Sequence, residues 1–185
     1  MRRWLLVGLV AASLAACGGD AVPEVAPPAV DPALAPATVG TDLALYENTD
    51  EATVAAFADA GENTLIGDGR VWEIRRADRL IGALQIATVL PDVDLTDAHQ
   101  RESIVRQILA GTLTRIQIDD VELYASVVDD KAVYVWFGRT LFEVLQLKDS
   151  TLAGDYESVV TEVIHHQETV SAWEPLPLDV VAASS

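Results

Sequence analysis

In five runs between residues 71 and 147 the apolar residues recur at every second position, and the runs stop at tight turns. That spacing confines the chain to folds built on an antiparallel sheet, because successive side chains of a strand point to opposite faces and short turns join strands running in opposite directions. The runs 71–76 and 80–90 form a hairpin turning at Arg76-Ala77-Asp78-Arg79, with Leu80, Leu84 and Ile86 on one face and Pro91 closing the second strand. Three more runs follow: 115–128 with a break at Asp119-Asp120, 132–137, and 140–147. The connections at Asp129-Asp130 and Gly138-Arg139 are of hairpin length.

Three stretches carry the helical period instead. The first is capped at Thr49-Asp50 and passes through Val54 and Phe57 to Gly61. The second starts at Asp97, with Gln100 placed to complete a capping box; Ile104, Val105, Ile108 and Leu109 form its buried stripe, and Gly111 ends it. The third, 155–167, places Tyr156, Val159, Val160, Val163 and Ile164 on one side. The expectation is an α+β fold in the order α-β-β-α-β-β-β-α: about five antiparallel strands with the helices packed on one face.

Half of the 185 residues are hydrophobic, which is enough for one core. Five prolines between residues 18 and 41, with no periodic apolar face, predict a tether reaching roughly 30 Å as a coil and about 70 Å as polyproline II. A single domain over 42–172 and a tail over 173–185 complete the expected layout. The formal charge of −17 repels phosphate backbones and anionic headgroups, so nucleic acid is not an expected partner. Only Lys131 and Lys148 are lysines; the other bases are arginines.

The amino terminus pairs Arg2-Arg3 with an apolar run over 4–12, too short to cross a bilayer, which takes roughly 20 residues. It ends in Leu14-Ala15-Ala16-Cys17, the chain's single cysteine. These residues resemble the lipobox of bacterial lipoproteins. The resemblance implies a signal peptide over 1–16, cleavage before Cys17, and acyl chains of the palmitate class on a lipidated Cys17. It implies anchoring outside the cytoplasm, at the outer membrane of a Gram-negative host, since no aspartate follows the cysteine, or at the outer face of a Gram-positive plasma membrane. Each buried CH₂ contributes about 0.8 kcal/mol, so two or three chains hold the protein without a membrane span. No thiol then remains for disulfides, nucleophiles or metal ligands, and the mature chain carries 29 acids and 10 bases, a charge of −19.

Alternation, with Leu123, Val127, Val133, Val135 and Phe137 toward the helices, puts Tyr124, Tyr134 and Trp136 on the opposite face, an aromatic surface for an envelope protein or small apolar ligand. The alternative is that these rings are covered or serve cross-strand packing. Arg70, Arg75, Arg76 and Arg79 concentrate positive charge in one hairpin, either as an anion site or as a solvated tip balanced by Glu73 and Asp78. Asp92, Asp94 and Asp97 lack the spacing of a calcium loop. Glu162 and His165 have the Glu-x-x-His spacing of di-metal bundles without the partners such a centre needs, and His166 points away from His165 on a helix. No nucleophile elbow, phosphate loop or His-Glu-x-x-His appears, so no catalytic residue, metal or cofactor is expected. The expected function is a lipid-anchored, non-catalytic sensor or accessory module of the cell envelope. The alternative is an extracytoplasmic hydrolase acting through acidic residues.

Overall fold

The computed structural model describes residues 29–53, 66–109, 112–128, 131–148 and 155–176. The expected signal run, Cys17, and the helix from Val54 to Gly61 lie outside them. Among the described residues no helix is long and apolar enough to cross a membrane.

Eight antiparallel strands form one sheet: β1 (Thr38–Val39), β2 (Leu43–Asn48), β3 (Ile66–Arg76), β4 (Arg79–Val89), β5 (Thr114–Ile118), β6 (Val121–Val128), β7 (Lys131–Phe137) and β8 (Leu141–Lys148). Their order across the sheet is β1-β2-β3-β4-β8-β7-β6-β5. Two four-stranded meanders thus meet where β4 pairs with β8. Helix α1 (Ala98–Ile108) separates the meanders in sequence, and α2 (Tyr156–Gln167) follows the second.

This corrects the expected five strands and their order. The break at Asp119-Asp120 is a full reversal, with Asp119 in the left-handed region at φ 48°, so the run 115–128 is two paired strands. Of the other additions, β2 comes from the start of the expected domain, where no element was assigned, and β1 from a stretch expected to be tether. There Val30, Leu34 and Val39 are buried, and the Val30 amide donates to Asp68 Oδ2 at 2.9 Å. Asp31 accepts from the Ala33 amide to start a short 3₁₀ turn over Pro32–Leu34. Folded structure therefore begins before residue 42. It also passes 172, since Trp173 and Leu176 are buried and Pro175 bridges Gly138.

The helices pack on opposite faces of the sheet, not together on one. Tyr156, Val159, Val160, Val163 and Ile164 of α2 share a cluster with Trp72, Ile74, Leu84, Ile86, Leu123, Tyr134, Trp136 and Leu145. On the other face Ile104, Val105 and Leu109 pack with Ala87, Val89, Tyr124, Val135, Phe137, Phe142 and Val144. Covering both faces is why β7 and β8 read as almost continuous apolar runs.

Local chemistry follows the sequence closely in places. Asp97 accepts from the His99 amide at 2.8 Å and caps α1, but Gln100 accepts from the Asp94 amide instead of closing a capping box. Asp50 accepts from the Thr53 amide at 3.0 Å, the start of the first expected helix. Opposite Ile74 and Arg75 of β3, β4 carries one extra residue, Ile81, which enters the core in place of Leu80, itself 54% exposed.

Candidate functional site

The register of the central strands defines what lies beyond the end of α1. An 11-residue helix spans about 16 Å, whereas the 11-residue strands β3 and β4 run about 36 Å, so one such helix covers only part of their face. Past it, Glu73, Ala83, Gln146 and Val133 are successive cross-strand partners, next to the row Val71, Gln85, Val144. The described residues here enclose a groove of about 520 Å³, lined also by Asn48, Leu80 and the two lysines. That volume is in the ordinary range for small-ligand sites.

Lys131 and Lys148 face each other directly across β7 and β8 at one end of this groove. Among the described residues neither forms an ion pair, although the chain has 29 acids. Like charges at directly opposed sheet positions are unfavourable. The groove's own acid, Glu73, is engaged elsewhere: its carboxylate accepts from Arg75 at 2.7 Å and from Asn48 Nδ2 at 3.1 Å. The arrangement therefore offers two ammonium groups with no ion-pair partner among the described residues, two glutamine amides and an apolar floor of Val71, Ala83 and Val133.

The sequence-predicted aromatic surface is not a surface. Trp136 is fully buried and Tyr134 is 4% exposed, both beneath α2. Tyr124 lies on the other face, because β6 pairs Leu123 with Trp136 and Tyr124 with Val135. The three rings were expected together from parity alone; the pairing register puts β6 out of phase with β7. Tyr124 packs edge-on against Phe137, carries the Arg115 guanidinium 5.4 Å from its ring centre, and donates its hydroxyl to Glu122 Oε2 at 3.3 Å. Burial raises the Tyr124 phenol, and Glu122 adds to the rise. Burial pushes Tyr134 up to about 12.

The hairpin arginines are held in ion pairs. Arg70 meets Glu47 at 2.5 Å, Arg75 meets Glu73, and Arg76 Nε lies 2.7 Å from Asp42. Arg79, exposed at the start of β4, also has a partner. Arg75 thus braces the hairpin and Arg76 links it to the β1–β2 turn. Asp94 accepts from the hydroxyl and amide of Thr96, which hold its carboxyl below the usual range, so it serves the turn before α1.

One buried acid escaped the sequence reading. Glu143 is fully buried; Gln167 Nε2 donates to its Oε2, Trp136 Nε1 donates to Gln167 Oε1 at 3.2 Å, and Glu143 Oε1 has no hydrogen-bond partner among the described residues. Burial pushes this carboxyl up to about 8. Its signal was present in the parity of Leu141, Leu145 and Leu147, which are all core residues. Arg101, also buried, donates to the carbonyls of Leu95 and Thr96 and ties the turn before α1 to the helix.

Comparison with known protein families, characterised proteins and solved structures finds no match.

Proposed function

We propose that this chain is a lipid-anchored protein of the bacterial cell envelope whose folded domain is a non-catalytic binding module. Its groove takes a small amphiphilic anion. The apolar body of the ligand lies along Val71, Ala83 and Val133, while the acidic head meets Lys131 and Lys148. The observation that carries this reading is the lysine pair: the only two lysines of a strongly acidic chain are directly opposed, lack ion-pair partners among the described residues, and stand at the end of a ligand-sized groove. An anion relieves the repulsion between them and gains charge-assisted hydrogen bonds. The anchor at Cys17 rests on the lipobox resemblance and would hold the module at the membrane surface.

The test is calorimetric titration of residues 18–185 with decyl phosphate below its micelle threshold. One-to-one binding is expected, weakened at least tenfold, about 1.4 kcal/mol, by Lys131→Gln with Lys148→Gln. Neutral decanol should bind more weakly than the phosphate. Equal binding of decanol and decyl phosphate, or an unchanged affinity in the double variant, would overturn the reading.

A further inference from the structure

Away from the groove, three metal-ligating side chains converge from two elements distant in sequence. Asp119 stands at the reversal between β5 and β6, and His165 and Glu168 stand three residues apart at the carboxyl end of α2. Each offers one ligand atom, and these atoms all lie within 4.8 Å of one another. His165 Nε2 is already 2.6 Å from Asp119 Oδ2.

We propose that Asp119, His165 and Glu168 form a binding site for a divalent transition-metal ion of the zinc class. The donor set is one imidazole nitrogen and two carboxylate oxygens. Imidazole favours zinc, copper, nickel and iron over calcium and magnesium, which prefer oxygen alone. Three protein ligands leave a fourth tetrahedral position for water. Ligands about 2.0–2.2 Å from a tetrahedral ion sit roughly 3.3 Å apart, so the imidazole and Asp119, now 2.6 Å apart, need to open slightly. All three side chains are exposed and free to make that adjustment.

Two features favour a cation there independently of the donors. The last turn of a helix presents its negative dipole end, and His165 and Glu168 lie on it. The overall charge of −17 also raises the local concentration of cations. Neighbouring His166 does not compete, because its Nε2 meets the Ala33 carbonyl oxygen at 2.8 Å. The backbone supports Asp119 as well: its carbonyl accepts from Gln117 Nε2 at 3.0 Å. A bound ion would add a bond between the end of α2 and the β5–β6 turn, beside the His165–Asp119 pair and the packing of Ile118 and Val121 in the α2 cluster.

The experiment titrates zinc chloride into the tag-free full chain carrying Cys17→Ala, in a neutral detergent, with magnesium and calcium in excess. One-site binding is expected. Asp119→Asn, His165→Gln and Glu168→Gln should each weaken it at least tenfold, since even groups supporting a metal's ligands cost about 10–100-fold when removed. His166→Gln should bind as the parent does. Absence of one-site binding, equal loss in His166→Gln, or binding unchanged in the three ligand variants would overturn the proposal. The positions are exposed, so circular dichroism of the variants should match the parent.

Discussion

Gln167, the last residue of α2, donates its side-chain amide to the fully buried carboxyl of Glu143 in the middle of β8. Burial pushes that carboxyl from 4.5 to about 8, so the native protein keeps a proton there that the unfolded chain gives up. Between pH 4.5 and 8 the native state binds more protons than the unfolded state, and stability therefore falls as pH rises through that window. The stability is whole below 4.5 and the loss levels off above 8; its full extent is on the order of 5 kcal/mol. Glu143→Gln should flatten this slope. Urea unfolding at intervals between pH 5 and 8 checks it: a variant with the parent's slope would place the proton elsewhere.

Lys131 and Lys148 are predicted to serve binding at a cost to stability. Changing either to glutamine removes an opposed like-charge pair and should stabilise the unliganded protein by about 0.2–1 kcal/mol. Thermal unfolding without ligand decides the point. A loss of stability would mean that the lysines act as structural residues.

Gly82 sits where β4 approaches β8 closely. A Cβ at this position would lie 2.2 Å from the carbonyl oxygen of Gln146 and 3.0 Å from Leu147 Cδ2. Gly82→Ala must push two paired backbones apart, and a destabilisation of about 1–3 kcal/mol or more is expected. The midpoint of urea unfolding measures it, and an unchanged midpoint would contradict so tight an approach.

Cys17→Ser tests the anchor. The substituted protein is expected to lose incorporation of labelled palmitate and to leave the membrane pellet, or to stay unprocessed. A correctly cleaved variant that remained in the pellet would show that something other than acyl chains holds it.

The parts of this fold that could be read from sequence are those whose signals are local. The turn at Ala77-Asp78, the Asp97 cap, and the apolar stripe of α2 appear in the structure within a residue or two of their expected places. β1 was hidden because two residues just past a proline carry no periodicity, and β2 because its alternation stops after Leu45, with exposed Tyr46 and polar Glu47-Asn48 following. The sidedness of the helices was hidden for a different reason. Ala132, Tyr134, Val135, Trp136 and Phe137 are all buried, so alternation in β7 marks two covered faces and cannot say which helix covers either. The candidate groove depends on register: Lys131 and Lys148 become neighbours only through the β7–β8 pairing set by the turn after Phe137. Likewise Asp119 and His165 meet across 46 residues, a distance no spacing rule anticipates.

Among the described residues every strand pairing but one joins strands that follow each other in sequence. The exception is the contact of residues 82–88 with 141–147. Each meander can therefore assemble from local closures, whereas joining them requires one long-range encounter with α1 and the whole second meander still to be arranged. The rate of folding should be governed by that encounter. A chain caught before it exposes two unfinished sheet edges, β4 and β8, each able to accept the matching edge of another copy. Domain-swapped dimers, in which β4 of one molecule pairs with β8 of a second, are the form of misassembly this topology favours.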